Sequence, residues 1–345
     1  MLTPTLRSTI LVAFVLGTTL TLGGCSKEDS STSSPPPQRT NPQKVRVELR
    51  PPESGERLRR HIYGADGVTE VEMQIEYADG RMEYQYFRKD GTLKESKETH
   101  PGGRTVKRHA LYGADGTTVI AEEKYRVDGT LETEFKHLAD GRAQTTTYQS
   151  DGKKPFSVEI ESTDGSKLAT YYRTDGTTLW AIVKMPAGGL REVEYYGDTG
   201  KLEHRRVYRA DNGMDITVYR ADGTVSHKQS WRLSYGGWWY RSYVLESVIE
   251  YAADGTTPVR ELKMLFDGKT IDEATRYNSD GTKASIRHFR ADGTLEKEQF
   301  LSADGKVKKT ETHRADEGIR ESVEKGRLAE PAFDDPSDPN KRRGF

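Results

Sequence analysis

The chain has few apolar residues, a single cysteine and no excess of either charge. Hydrophobic side chains make up 33% of the 345 residues, and the 33 Gly still leave apolar usage below the level of ordinary globular domains. A core that covers both faces of a large sheet is therefore excluded. The net charge of −1 excludes a basic footprint, so we predict no nucleic-acid partner. With one cysteine, there is no paired-cysteine metal spacing.

Asp-Gly is the most regular feature of the sequence. The dipeptide returns every eleven to thirteen residues through most of the chain, beginning with Asp66-Gly67, Asp79-Gly80 and Asp90-Gly91. Short runs of alternating apolar and polar residues, such as 156–161, lie between these sites. Asp-Gly between alternating runs is typical of β-hairpins, and a fixed internal period indicates a repeat fold.

Two turn geometries compete for the repeat unit Tyr/Phe-Arg-Ala-Asp-Gly-Thr-Leu. In a two-residue Asp-Gly loop the aromatic residue faces the fourth residue after Asp, whereas in a three-residue Ala-Asp-Gly loop it faces the third. The longer loop pairs an aromatic with an aliphatic side chain, which contributes about 0.2–1 kcal/mol per pair. We therefore predict three-residue loops with Gly at positive φ. The predicted strand pairs are Phe87–Leu93, Tyr125–Leu131, Tyr219–Val225 and Phe289–Leu295.

The fold predicted from this period is all-β. It is an elongated antiparallel meander of about 20 short strands, each paired with its sequence neighbours. The low apolar content favours a single sheet, curled or superhelical, over a stacked sandwich. A helix remains an alternative only at residues 242–251, where the spacing of the apolar residues Val244, Leu245, Val248 and Ile249 fits a helix as well as a strand.

Four segments are predicted along the chain. Residues 1–24 form a signal peptide, and 25–56 form a linker rich in Ser and Pro. The β-hairpin repeat domain covers residues 57–322, and 323–345 form a disordered tail.

The signal segment ends in Leu22-Gly23-Gly24-Cys25, after an apolar run at residues 10–16. This end resembles the lipobox of bacterial lipoproteins. The resemblance implies that Cys25 is acylated, becomes the first residue of the mature chain and anchors it to the membrane. Ser26 after the cysteine implies sorting to the outer membrane of a Gram-negative cell. The alternative is an ordinary secretory signal with an incidental cysteine.

The repeat units at 125–131, 219–225 and 289–295 are similar to two bacterial repeat families. One is the MORN-variant repeats of YwqK-like proteins, often labelled antitoxins, and the other is the Tyr-Asp (RHS) repeats of large surface and toxin-encapsulating proteins. Either resemblance implies a β-hairpin array, and neither supplies catalytic residues.

Motifs that carry chemistry are missing from the sequence. The eight His residues are scattered, without the close spacing that metal ligation requires. Turn capping accounts for the many Asp residues, which lack the ligand pattern of calcium loops. No nucleophile or phosphate-loop motif occurs. We predict no catalytic residue, no metal, no cofactor and no enzymatic activity.

One segment departs from the regular Asp-Gly spacing. The interval from Asp222 to Asp254 spans 32 residues, and three of the four Trp in the chain fall within it. Such aromatic clusters are typical of binding surfaces. The possible contact residues for a ligand or partner are Trp231, Tyr235, Trp238, Trp239 and Tyr240. The alternative is a local core where longer strands let the sheet bend.

The function expected from these observations is that of a membrane-anchored lipoprotein. It would act as a non-enzymatic binding or scaffold module in the bacterial cell envelope, with a protein or an envelope polysaccharide as its partner. Two alternatives remain: a YwqK-like antitoxin or immunity protein, and a glycan-binding protein that uses the aromatic cluster at 231–243.

Overall fold

The computed structural model describes residues 46–50, 53, 55–236 and 240–319. These residues form 22 β-strands and one short 3-10 helix, η1, at Ala315–Glu317. The strands are β1 Arg46–Arg50, β2 Glu56–Tyr63, β3 Glu70–Tyr77, β4 Met82–Phe87, β5 Leu93–Thr99, β6 Val106–Tyr112, β7 Val119–Tyr125, β8 Leu131–His137, β9 Ala143–Tyr148, β10 Pro155–Glu161, β11 Lys167–Tyr172, β12 Leu179–Met185, β13 Glu192–Tyr196, β14 Leu202–Tyr208, β15 Met214–Tyr219, β16 Val225–Gly236, β17 Tyr240–Tyr251, β18 Pro258–Met264, β19 Ile271–Tyr277, β20 Lys283–Phe289, β21 Leu295–Leu301 and β22 Val307–Thr312.

All 22 strands belong to one antiparallel sheet, in which each strand from β2 to β21 pairs with the strand before and after it in the sequence, and β1 and β22 are the two end strands. Every extensive strand–strand contact in the described part of the chain joins such neighbours, so no second sheet packs against this one. The all-β meander predicted from the Asp-Gly period is therefore confirmed. The curl or superhelix stays a prediction.

The register of the hairpins confirms the three-residue loop. Phe87 pairs with Leu93, the third residue after Asp90, as the aromatic–aliphatic pairing predicts. Arg88 N donates to Thr92 O at 2.8 Å, and Gly91 N donates to Arg88 O at 3.0 Å, which closes the loop around Gly91 at φ 83°. The same register occurs in the pairs Tyr125–Leu131, Tyr219–Val225 and Phe289–Leu295.

Several turns hold one residue more, and the aspartate then caps two backbone amides. In the turn that follows Gly113, Gly113 N donates to Thr118 O at 2.7 Å. Asp115 Oδ1 accepts from Thr117 N at 3.0 Å and from Thr118 N at 2.9 Å. These hydrogen bonds hold the pKa of Asp115 below its usual value, with the Thr118 hydroxyl making the largest contribution. The aspartates therefore serve the turns, as the sequence predicts.

The arginine of the repeat unit bridges successive turns on the same edge of the sheet. Arg220 Nη1 donates to Val225 O at 2.6 Å within its own hairpin, and Nη2 donates to Tyr251 O at 2.5 Å at the start of the next turn on that edge. Because one planar guanidinium serves two carbonyls, it fixes the spacing of neighbouring turns. The second bond recurs between Arg88 and Tyr112, Arg126 and Tyr148, Arg173 and Tyr196, and Arg290 and His313.

The apolar core lies in the C-terminal half of the sheet. Among the described residues of β2–β10, the buried hydrophobic side chains are Ile75 and Ala110, and the other buried side chains there are polar. Three clusters follow from β11 onward. They comprise Ala169, Tyr171, Ala181, Val183, Val193 and Tyr195; Met214, Ile216, Trp231, Leu245 and Val248; and Leu262, Ile271, Ala274, Phe289 and Leu295.

A buried arginine lies between the first two clusters. Arg206 is 2% exposed, and its guanidinium carbon lies 4.6 Å from the ring centroid of Tyr195, a cation–π distance. His204, two residues before Arg206 on β14, stacks on Tyr195 with the two ring centroids 4.4 Å apart. Burial lowers the pKa of His204 to about 4, and the nearby Arg206 cation adds to the shift. At neutral pH the imidazole is therefore neutral.

The structure corrects two expectations from the sequence, one about a possible helix and one about where the sheet begins. Residues 242–251 belong to strand β17, so the helix left open there is excluded. The sheet begins at Arg46 and not at residue 57, because β1 pairs with β2 along its whole length. Two prolines, Pro51 and Pro52, directly follow this five-residue strand, and their linker-like composition concealed it. The signal peptide at 1–24 and the tail at 323–345 lie outside the described residues.

Candidate functional site

The hairpin of β16 and β17 is longer than every other described hairpin. Both strands have 12 residues, and pairing with β15 ends at Trp231 while pairing with β18 begins at Ser247. Beyond the Trp231–Leu245 pair, residues 232–236 and 240–244 pair only with each other in the described part of the sheet. We call these two stretches the hairpin extension. They continue past the point where the neighbouring strands end.

The predicted contact residues fall into three groups. Trp231 is 5% exposed and packs against Met214, Ile216 and Leu245 at the base of the extension. Its indole nitrogen donates to Gln229 Oε1 at 3.0 Å, so both its ring and its polar atom are used inside the sheet. For this residue the structure agrees with the local-core alternative, and we do not include it in a contact surface.

Tyr235 and Tyr240 lie on the two strands of the extension, where Tyr235 pairs with Arg241 and Tyr240 with Gly236. The side chains of both tyrosines lie outside the described part of the structure. Trp238 and Trp239 fall in the stretch 237–239, which also lies outside the described residues, as does Cys25. Their assignment as contact or anchor residues stays a prediction.

An arginine from a neighbouring turn fastens the base of the extension. Arg209 Nη2 donates to Trp231 O at 3.0 Å and to Glu246 Oε2 at 2.8 Å, which joins both strands. Arg209 Nη1 donates to Ser230 Oγ at 2.6 Å. Charge-assisted hydrogen bonds of this kind are about twice as strong as neutral ones. The base is therefore held in place where pairing with the rest of the sheet ends.

A second arginine connects the extension to the turn between β18 and β19. Arg232 Nη2 donates to Phe266 O at 2.5 Å, and the guanidinium carbon lies 4.2 Å from the Phe266 ring centroid. On the same turn, a Cβ placed on Gly268 would lie 2.2 Å from Val244 Cγ1, so only glycine fits against the extension. This turn and the extension therefore form one continuous surface.

Phe266 is a candidate contact residue that our sequence interpretation missed. Its side chain is 77% exposed although one face of the ring lies under Arg232. It occupies the position directly before Asp-Gly, where the other turns have small, polar or aliphatic residues, most often Ala. An aromatic residue at that position was the available signal. An exposed ring beside an aromatic-rich hairpin is what a binding surface uses.

The fourth tryptophan lies on a different part of the sheet. Trp180 contacts the Tyr171 and Tyr195 rings edge-on, with centroids 6.4 Å and 6.5 Å away. It borders a shallow cavity of about 200 Å³. The lining residues are Gln149, Phe156, Tyr172, Arg173, Thr174 and Trp180.

In the described part of the chain, no helix has the length and apolar character needed to cross a membrane.

The fold places the chain in the class of single-sheet antiparallel β-hairpin repeats. No family model matches the sequence, and no curated protein matches it. Among solved structures, a GtfA/B complex bound to UDP and GlcNAc has 16% identity and a TM-score of 0.23, over 36% of this chain and 25% of that one. The Photorhabdus luminescens Tc holotoxin pore has 12% identity and a TM-score of 0.20, over 74% of this chain and 15% of that one.

A porin-like protein from Bacteroides uniformis has 11% identity and a TM-score of 0.14, over 65% of this chain and 87% of that one. This chain thus spans a quarter or less of the first two structures. TM-scores this low establish neither a shared fold nor a shared function.

Proposed function

We propose that this protein is a lipid-anchored, non-enzymatic binding module of the bacterial cell envelope, and that the hairpin extension and Phe266 contact its partner. The observation that carries the proposal is the extension itself. A two-stranded ribbon alone is marginally stable in water. Here two strands continue past their neighbours, and Arg209 and Arg232 hold their base. The sequence of this segment concentrates aromatic residues, with three Trp and three Tyr between residues 231 and 243.

The anchor in this proposal is Cys25. Its sequence context resembles a lipobox, and the 20 residues that follow it are rich in Ser, Thr and Pro, a composition suited to a tether between a bilayer and a folded body. The partner would be a protein or an envelope polysaccharide at the outer membrane. The long sheet could add weak repeated contacts to the main one, which raises overall affinity through multivalency.

Site-specific photo-crosslinking in cells tests the contact surface. A photoreactive phenylalanine at Phe266 should give a discrete crosslinked product. Val127 is the matched control, because it occupies the same turn position, is 72% exposed and lies far from the extension in sequence. Equal products from both positions, or none from Phe266, would refute the proposed surface.

The anchor is tested separately by Cys25→Ser. The variant should move from the membrane fraction to the soluble fraction, and globomycin, which blocks lipoprotein signal cleavage, should leave the unchanged chain unprocessed. A Cys25→Ser variant that stays with the membrane would contradict lipid anchoring without bearing on the hairpin extension.

Glycan binding is the second candidate, favoured by the aromatic segment and by the cavity next to Trp180. Aromatic rings flanked by an amide and a guanidinium suit the stacking and hydrogen bonding of a sugar ring. Gln149 and Arg173 supply those groups at the cavity. Retention on purified peptidoglycan should fall in Trp238→Ala and Trp239→Ala if the extension binds glycan, and in Trp180→Ala if the cavity does. Unchanged retention in all three variants would contradict glycan binding, and a protein would remain the proposed partner.

A further inference from the structure

Two glutamates face each other on the last two strands of the sheet. Glu298 of β21 and Glu311 of β22 are direct cross-strand partners. Glu298 is 7% exposed as a residue, so this carboxylate is almost completely removed from water. Like charges directly opposite each other destabilise an antiparallel pair unless a cation lies close to them.

His313 completes a group of three ligand-bearing side chains. It follows Glu311 by two residues, and one ligand atom from each of Glu298, Glu311 and His313 lies within 4.8 Å of the other two. His313 Nδ1 lies 2.9 Å from Glu317 Oε2. Its Nε2 is buried and has no hydrogen-bond partner among the described residues. The ring therefore has one nitrogen held by a carboxylate and the other available.

We propose that Glu298, Glu311 and His313 bind a divalent first-row transition-metal ion such as Zn²⁺ or Mn²⁺. Imidazole together with carboxylates suits these ions, whereas Ca²⁺ and Mg²⁺ favour oxygen ligands alone. Glu317 has the position of the outer carboxylate that orients a metal-binding histidine through its second nitrogen. Water would complete the coordination shell.

The geometry requires only small side-chain movements. Ligand atoms bound at about 2.0–2.2 Å to one ion lie roughly 3–3.5 Å from each other. The present separations are at most 4.8 Å, so side-chain rotation is enough to bring the three ligand atoms to one ion. The sheet register fixes the backbones of both glutamates, and His313, directly after β22, donates its backbone N–H to Glu296 O at 2.8 Å.

Two cations near the site shape how an ion would bind. Arg287 Nε donates to Glu298 Oε1 at 2.9 Å, and Lys309 pairs with Glu311. The Lys309 side chain is 65% exposed, so it can turn away into solvent when a metal ion binds Glu311.

Metal binding would fasten the C-terminal end of the sheet. Strand β22 has β21 as its one sheet neighbour in the described part of the chain, and most of its residues are exposed. An ion held between Glu298 and the pair Glu311 and His313 would join these strands by coordination as well as hydrogen bonds. Metal should therefore slow opening of β22 more than opening of the central strands.

The test is calorimetric titration of the full-length chain, purified in detergent, with ZnCl₂ and separately with MnCl₂. We expect one site per chain. His313→Ala should weaken binding of the better ion at least tenfold, and Glu311→Gln, which keeps the side-chain volume, should do the same. Glu317→Gln should weaken metal binding roughly tenfold, because it removes the carboxylate that orients the His313 ring.

His109→Ala is the matched control. His109 also lies between two glutamates, but both of its ring nitrogens already have carboxylate partners, Glu95 at 3.0 Å and Glu123 at 3.4 Å. Unchanged affinity in this variant, with loss in the two site variants, supports the proposal. No heat of binding with either ion, or equal affinity in His313→Ala, would overturn it. If His313→Ala loses its β-sheet circular dichroism signal, Glu311→Gln decides.

Discussion

Gly223 and Gly255 occupy corresponding positions in successive turns on one edge of the sheet, with φ angles of 88° and 72°. A Cβ on Gly223 would meet no atom within 4 Å. A Cβ on Gly255 would lie 2.7 Å from Val225 N and 2.9 Å from Thr224 Cβ, both in the preceding turn on that edge. The two glycines therefore share the left-handed φ region and differ in whether another turn packs against them; the Gly255 turn also holds one residue more, since Ala252 N donates to Thr257 O whereas Arg220 N donates to Thr224 O.

Replacing each glycine by alanine separates these two effects. In Gly223→Ala the cost is that of the left-handed conformation alone, about 1–2 kcal/mol. In Gly255→Ala the same cost applies, and overpacking against a neighbouring turn adds about 1–3 kcal/mol. Because the contacts are with a backbone nitrogen and a Cβ, no flexible side chain can move aside. The second variant should thus be less stable than the first by about 1–3 kcal/mol.

Hydrogen exchange of the amides in β15–β18 measures this difference, since exchange reports the free energy of local opening. Opening should be about tenfold more frequent in Gly255→Ala than in Gly223→Ala for each 1.4 kcal/mol of added destabilisation. Two variants that agree within about 0.5 kcal/mol, the usual error of such comparisons, would refute the packing of one turn against the next.

Three further predictions concern stability. Arg220→Ala should lower the free energy of unfolding by about 1.5–3 kcal/mol in urea titrations, and Arg220→Lys should not restore it, because an ammonium cannot bridge Val225 O and Tyr251 O as a planar fork does. The pKa of His204 is about 4 in the folded chain and about 6.5 in the unfolded chain, so the unfolded chain binds the proton more tightly. The free energy of unfolding should therefore be unaffected by His204 above pH 6.5 and fall by about 3 kcal/mol between pH 6.5 and pH 4. His204→Phe should flatten that part of the urea-midpoint profile. Trp231→Ala should cost about 3–5 kcal/mol in thermal unfolding, whereas Phe266→Ala should stay within about 0.5 kcal/mol of the parent chain.

The sheet was predictable because its turns are specified locally. An aromatic residue three before Asp and an aliphatic residue three after it determine a hairpin register, and Tyr219 with Val225 has the predicted pairing. The bridge from Arg220 to Tyr251 O could not be predicted in the same way. It joins turns 31 residues apart in sequence, so it depends on how the sheet brings its edge turns together.

The candidate site was only partly predictable. The long interval between Asp222 and Asp254 indicated an unusual hairpin, but composition could not separate Trp231, which faces the core, from the aromatic residues farther along the extension. Its burial follows from the register of β15, whose last pairing partner it is. The group of Glu298, Glu311 and His313 was missed because Glu298 comes from a neighbouring strand, and local spacing rules search one strand at a time.

A regular array poses a problem of specificity, because a partner that recognised the common unit could bind at many equivalent turns. A unique contact therefore has to form where the repeat departs from its pattern. Two departures, the elongated β16–β17 hairpin and the aromatic residue at the turn position of Phe266, are separated in sequence by a whole strand. Arg232 joins them through the Phe266 carbonyl and ring, and Val244 packs on Gly268 of the same turn. Because β17 pairs with β18, the meander places this turn directly beside the elongated hairpin. Their contact therefore supports the proposal that both departures belong to a single binding surface.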